Sequence, residues 1–259
     1  MERWKGKVAI VTGANSGIGA EVTERLVQEG MTVVGIDIGT DYLQLLCEKL
    51  NKENKVFYCK EIDIRNEEEV IKAFRWISEN VGAIYVLVNS AGVCRNTSLM
   101  NGQTKFWNDV IDINVFGLCV ATREAVKNMK ANNVAGHIIH MNSIAGHIVP
   151  CSVLLNVYPA SKHAVTALTE TLRLELMRMG PKIKVTSISP GMVKTGLLKA
   201  TAVAGGFVPT DEQIDKFLHG VPILQVSDVA DGILFALATP PHVQVHELSL
   251  GALGEQDLE

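Results

Sequence analysis

Short apolar runs alternate with longer amphipathic stretches along the whole chain. The runs fall at residues 8–11, 32–36, 56–58, 84–88, 137–141 and 184–188, and their lengths and β-branched content predict strands. Between them, residues 21–29, 67–79, 106–130 and 164–179 carry apolar positions at helical spacing. Strand–helix alternation predicts an α/β protein of parallel strands joined by crossovers, with helices on both faces of the sheet. That double covering accounts for strands that are apolar throughout. No repeat, low-complexity tract or linker interrupts the alternation, so residues 1–259 are expected to form one domain. Residues 192–220 break the rhythm, mixing apolar positions with Gly205, Gly206 and Pro209. They predict a loop with short helical pieces, either a lid over a substrate or a plain surface excursion. A further helix is predicted over 227–237, opening with a capping Ser-Asp pair.

Composition narrows the function classes. The chain is 47% hydrophobic and 20% charged with a net charge of −4, a profile that argues against a nucleic-acid surface. No apolar run is long enough to predict a membrane span. The opening residues lead straight into the first strand, so no signal peptide is expected. Cys47, Cys59, Cys94, Cys119 and Cys151 show neither CxxC pairing nor metal-ligand spacing. Free thiols, no metal site and a cytoplasmic location are the expectations.

The first candidate chemistry follows the first strand, at Thr12-Gly13-Ala14-Asn15-Ser16-Gly17-Ile18-Gly19. Glycines let a backbone turn tightly and approach a pyrophosphate closely. The amides at the start of the next helix then face the anion. Strand, glycine turn and helix in that order predict dinucleotide binding, although Gly-x-x-x-Gly-x-Gly differs from the commoner Gly-x-Gly-x-x-Gly form. Asp37 ends the second strand, where a carboxylate can accept hydrogen bonds from ribose hydroxyls and repel a 2′-phosphate. Two unit charges about 4 Å apart at an effective dielectric near 20 interact by roughly 4 kcal/mol. No cation stands among Ala14, Asn15, Ser16, Ile38, Gly39 and Thr40, so NAD is the expected cofactor. Asp63, after the third strand, could meet the adenine amino group or serve only as a turn residue.

A second set concerns protons. Tyr158 and Lys162 lie four apart in a helical stretch, hence on one face. A phenol with an ordinary pKa near 10 is a poor base at neutral pH. An adjacent ammonium and a positive nicotinamide ring would favour the phenolate. Ser143 follows the fifth strand, where ligands of parallel sheets collect. Asn114 stands inside a predicted helix, where asparagine has poor propensity, which suggests a polar task. Asn89-Ser90-Ala91-Gly92 closes the fourth strand beside the expected cofactor.

Together, Thr12-Gly13-x-x-x-Gly17-x-Gly19, Asp63, Asn89-Ser90-Ala91-Gly92, Asn114, Ser143, Tyr158-x-x-x-Lys162 and Pro190-Gly191 with Thr195 resemble the classical short-chain dehydrogenase/reductase family over nearly the whole chain. The resemblance implies a doubly wound Rossmann sheet of seven parallel strands in the order 3-2-1-4-5-6-7. It implies a catalytic tetrad of Asn114, Ser143, Tyr158 and Lys162. For the cofactor it implies Gly13, Asn15, Ser16, Gly17, Ile18, Gly19, Asp37, Asp63, Ile64, Asn89, Ala91, Gly92, Tyr158, Lys162, Pro190, Gly191, Val193 and Thr195. Substrate contacts are expected from Ser143, Ala145, Val153, Tyr158, Met192 and Leu197, and assembly as a homodimer or homotetramer. Met1-Glu2-Arg3-Trp4 and the segments around Ser143 and Tyr158 resemble a branch that includes insect farnesol dehydrogenases and a vertebrate cytosolic reductase of steroid ketones. That branch usually has an arginine after the second strand and prefers NADP; here the residues are Asp37-Ile38, so branch and local charge disagree, and local charge favours NAD.

The resulting expectation is an NAD-dependent alcohol dehydrogenase. Ser143 and Tyr158 would hold the hydroxyl of a small lipophilic alcohol, farnesol-like or another apolar alcohol, and Tyr158 would take its proton. Ile144, Val149, Val153, Leu154, Met192, Leu197, Leu198 and Phe207 supply the apolar surroundings. Two alternatives stay open: an NADP-dependent reductase of steroid or other lipophilic ketones, and a dinucleotide-sensing protein without catalysis.

Overall fold

The computed structural model describes residues 1–51, 56–150, 155–180 and 182–255. Seven parallel strands form one sheet in the order β3-β2-β1-β4-β5-β6-β7. They are β1 Val8–Thr12, β2 Thr32–Asp37, β3 Phe57–Glu61, β4 Ile84–Asn89, β5 His137–Met141, β6 Lys184–Pro190 and β7 Glu247–Leu250. The central strands β1, β5 and β6 are buried at every position, as two covered faces require. Side chains alternate between those faces. Ala9, Val11, Val33 and Val86 enter one hydrophobic cluster with Val22, Leu26, Val229 and Ile233. Val8, Ile10, Val34 and Leu87 enter the other with Phe74, Ile77, Ala121 and Met129.

The first cluster is closed by α1 Gly17–Gln28, α2 Asp41–Leu50 and α9 Val226–Ala238; the second by α3 Glu67–Asn80, α5 Leu118–Ala131 and α6 Val157–Arg178. Edge strands depart most from the sequence pattern. The expected third strand at 56–58 runs instead to Glu61, and its outer residues are half-buried or exposed. Among the described residues only β2 pairs with it, so Lys60 and Glu61 can extend the ladder without entering the core. Strand β7 alternates exposed and half-buried residues at the opposite edge.

The helix expected over 106–130 is present but is not α-helical throughout. It comprises α4 Thr104–Ile111, a π-helical segment Asp112–Gly117, and α5. Residues 192–220 contain α7 Leu197–Ala204 and α8 Asp211–Leu218, the latter opened by a reciprocal Thr210–Gln213 capping box. Cys59, Cys94 and Cys119 are free thiols, and Cys151 lies outside the described residues. No helix among the described residues is long and apolar enough to cross a membrane.

Candidate active site

A cavity of about 550 Å³ runs along the carboxyl ends of the strands, from Asp37 and Asp63 at one end to Tyr158 and Leu197 at the other. That edge of an open parallel sheet is where ligands bind. The turn after β1 starts at Gly13, whose φ of +69° lies in the left-handed region. A Cβ on Gly13 would stand 2.7 Å from Cα of Ala91, and one on Gly19 would overlap the Gly13 carbonyl. Both bare positions are therefore demanded first by the protein's own packing, of turn against the β4 loop and of α1 against the turn. Ser16 then precedes α1 without a side-chain cap bond, and Ser16, Gly17, Ile18 and Gly19 line the cavity. The positive end of the helix faces a would-be anion there.

Asp37 accepts from the amides of Asn15 (2.9 Å), Ile38 (2.8 Å) and Gly39 (3.3 Å). Its neighbour in register is Glu61, and among the described residues no lysine or arginine pairs with it. Asp63 also lines the cavity, but its carboxylate is committed to Arg65, with Nη2 2.7 Å from Oδ2. That guanidinium holds the Asp63 carboxyl below the usual range. Arg65 also reaches Asp109 (3.3 Å), which accepts from Arg95 Nε at 3.2 Å.

Ser143, Tyr158 and Lys162 come together on one wall of the cavity. Ser143 leaves β5 and accepts from the Ala145 amide at 3.1 Å, capping a short 3-10 turn. Asn156 caps α6 through the Val157 amide, which sets Tyr158 and Lys162 one turn apart at the helix start. Lys162 is 5% exposed; its Nζ lies 5.7 Å from the Tyr158 ring centre and donates to the Met141 carbonyl at 2.8 Å. Burial pulls the Lys162 ammonium down to about 8. Burial also pushes the Tyr158 phenol up, with Cys94 adding to the rise and a hydrogen bond with Ser143 opposing it. The expected fall toward neutrality draws on the nicotinamide charge as well as on Lys162, and burial acts against both.

Other expected residues support the cavity from behind. Asn114 is 2% exposed; its Oδ1 accepts from the Val93 amide (2.8 Å), and Nδ2 donates to the Val93 carbonyl (2.9 Å) and Ser161 Oγ (3.0 Å). It fastens the loop after β4 to α6, and its side chain is not on the cavity wall. Asn15 uses Oδ1 to accept the first amides of α2, Tyr42 and Leu43, each at 3.1 Å. Asn89 donates to Thr122 at 2.9 Å within the core. Ala145 is buried, and the Met192 amide is taken by Glu255 at 2.8 Å. Ile64, Ala91, Gly92, Pro190, Gly191, Val193, Thr195 and Leu197 do line the cavity, whereas Val153 and Leu154 lie outside the described residues.

Behind the reactive wall runs a buried polar chain. Asn89 Nδ2 donates to Thr122 Oγ1, which meets His140 Nε2 at 3.1 Å; His140 Nδ1 meets Thr169 Oγ1 at 2.8 Å, and Thr169 donates to the Val165 carbonyl. Since Thr169 spends its proton on Val165, His140 must carry its own on Nδ1 and accept from Thr122 at Nε2. Burial, aided by the Lys162 charge, lowers the His140 pKa to about 3, so the neutral tautomer persists. The chain ties β4, α5, β5 and α6 together. Sequence reasoning passed over His140, Arg95 on the cavity wall, Thr201 of α7, which donates to the Cys94 carbonyl at 3.3 Å, and Glu255. The apolar run at 137–141 hid His140; the cationic residue just after Asn-Ser-Ala-Gly was the one available signal for Arg95.

Comparison with known proteins agrees with this geometry. The short chain dehydrogenase family model matches residues 7–204. A farnesol dehydrogenase of Aedes aegypti is 42% identical over 99% of this chain and 100% of its own length. The dehydrogenase/reductase SDR family member 11 of Gallus gallus is 39% identical over 96% and 97%. Among solved structures, a serine dehydrogenase in its closed form with NADP+ superposes with a TM-score of 0.84 at 28% identity, covering 94% of each chain. A short-chain dehydrogenase/reductase from Burkholderia phymatum in complex with NAD gives 0.82 at 29% identity, covering 96% of this chain and 90% of that one. Glycine turn, seven-stranded parallel order and these matches together place the chain in the short-chain dehydrogenase/reductase family of oxidoreductases, whose fold holds a nicotinamide dinucleotide.

Proposed function

We propose that this protein oxidises a lipophilic alcohol to the aldehyde or ketone with NAD. The observation that carries the reading is one continuous cavity with Ser143, Tyr158 and Lys162 at one end and, at the other, Asp37, a carboxylate without a cationic partner among the described residues. When bound, the oxidised nicotinamide supplies the hydride acceptor and a positive charge. Ser143 Oγ and Tyr158 Oη hold the substrate hydroxyl, and Tyr158 takes its proton. Lys162 keeps the phenolate in reach; with one N–H on Met141, it has two further donors for a ribose hydroxyl and a proton route. Asn114 acts from behind, fixing the loop that faces Lys162. Asp37 accepts ribose hydroxyls and repels a 2′-phosphate. Val193, Leu197 and Ala200 give the substrate end apolar lining, and residues 192–220 act as the lid. The farnesol dehydrogenase relative supports an isoprenoid alcohol.

The second reading is carbonyl reduction, and the raised Tyr158 phenol favours it, because reduction starts from the protonated phenol. Exposed Phe116 and Met177, on the π-helical segment and α6, support a homodimer or homotetramer, and the scattered cysteines support a reducing compartment such as the cytoplasm. Steady-state turnover in both directions, with NAD and NADP over terpenoid, steroid and aliphatic substrates, tests both readings. Dinucleotide binding without any turnover would instead indicate a sensing protein.

A further inference from the structure

The loop that leaves β6 forms part of the cavity wall through Pro190, Gly191, Val193 and Thr195, and much of its backbone is held from outside. Gly191 N–H donates to the Leu250 carbonyl at 2.7 Å. Leu224 takes the next grip, its N–H donating to the Met192 carbonyl (2.9 Å) and its carbonyl accepting from Lys194 N–H (2.8 Å). The Met192 amide is held by a side chain from the end of the described chain: it donates to Glu255 Oε1 at 2.8 Å. The other carboxylate oxygen, Oε2, accepts from Ala252 N–H at 3.0 Å, and the Glu255 amide donates back to the Ala252 carbonyl at 2.9 Å.

The carboxylate also rests on the bare face of Gly191. A Cβ there would overlap both Glu255 oxygens, so the glycine makes room for the latch as well as for the cavity. No lysine or arginine among the described residues pairs with Glu255; its partners are amides, and hydrogen bonds to a charged acceptor are the stronger kind.

We propose that Glu255 is a positioning residue: its carboxylate latches the β6–α7 loop into the shape that receives the nicotinamide end of the cofactor. Strand β7 would otherwise end at Leu250 and leave the Met192 amide without its acceptor. The latch holds the loop before the cofactor arrives, so cofactor affinity draws on order already present in the protein. The proposal rests on reading residues 190–195 as cofactor wall, and its test separates the two.

NADH and NADPH are titrated into the full-length chain by nucleotide fluorescence, for wild type, Glu255→Ala, Glu255→Gln, Gly191→Ala and Gly191→Ala/Glu255→Ala. Glu255→Ala should bind the preferred dinucleotide about tenfold more weakly, the loss expected of a charge-assisted hydrogen bond, with the cofactor KM rising and kcat nearly kept. Glu255→Gln should fall between, about threefold weaker, because its carbonyl can accept from Met192 while its NH2 cannot accept from Ala252. Gly191→Ala should weaken binding, and the double variant should bind no worse than Gly191→Ala alone, since removing the carboxylate makes room for the methyl. Unchanged affinity in Glu255→Ala, or fully additive losses in the double variant, overturns the latch. Wild type that binds neither dinucleotide overturns instead the reading of the cavity.

Discussion

On the proposed mechanism two opposing effects meet at Tyr158: burial raises the phenol, and the Lys162 ammonium with the nicotinamide charge would lower it. Oxidation needs the phenolate, so its rate should climb with pH through the neutral and alkaline range, while reduction falls. Lys162, already drawn down to about 8, loses its charge near the same point, which should flatten the oxidative climb at the alkaline end. Stopped-flow or steady-state pH profiles in both directions read this out. Tyr158→Phe keeps the ring and removes the proton carrier; turnover should drop by about 10²–10⁴ with the dinucleotide Kd little changed, and retained turnover would remove Tyr158 from the mechanism. At Asp37, replacement by Ala deletes the charge proposed to face a 2′-phosphate. The Coulomb ceiling is roughly 4 kcal/mol, and screening at a strand end reduces it. The ratio of kcat/KM for NADP over NAD should therefore rise on the order of tenfold to a hundredfold; an unchanged ratio would mean the carboxylate does not choose the cofactor.

Among the elements, legibility in the sequence follows burial. Central strands β1, β5 and β6 are buried at every position, so their apolar runs mark them plainly. Strands β3 and β7 are edge strands with polar outer faces, and periodicity alone misplaces the first and misses the second, which was expected only through family resemblance. The π-helical segment at Asp112–Gly117 had no sequence signal beyond an ill-suited Asn114, although such bulges often mark functional sites. Tyr158, Lys162, Ser143 and the glycine turn were readable because their chemistry depends on local spacing. Arg95, Glu255 and the His140 chain were not, since each acquires its meaning from partners distant in sequence. That chain makes its own prediction. His140→Leu leaves the Thr122 hydroxyl without its acceptor and Thr169 Oγ1 without its donor inside the core, which should cost about 2–4 kcal/mol in denaturant unfolding; a loss below about 1 kcal/mol would show the chain to be incidental.

The whole molecule carries two histidines, His137 and His140, that burial lowers from 6.5 to about 3. Below 6.5 the unfolded chain protonates these imidazoles while the folded chain does not, so stability falls as pH drops from 6.5 toward 3 and the loss is complete below that. Each imidazole accounts for several kcal/mol, because every tenfold change in its proton affinity is worth roughly 1.4 kcal/mol. Chemical unfolding across that range should show a midpoint falling steeply with acid; replacing His137 by Gln should flatten the slope, and an unaltered slope would contradict the assignment. The same sheet that buries these groups brings Asp37 and Tyr158 to a single cavity from distant parts of the sequence. The most direct test of what that cavity does is kcat/KM measured with NAD and with NADP over terpenoid, steroid and aliphatic alcohols. Oxidation of a lipophilic alcohol with NAD preferred over NADP is the expected result; a preference for NADP, or binding of NADH without turnover of any alcohol or ketone, would contradict the proposed function.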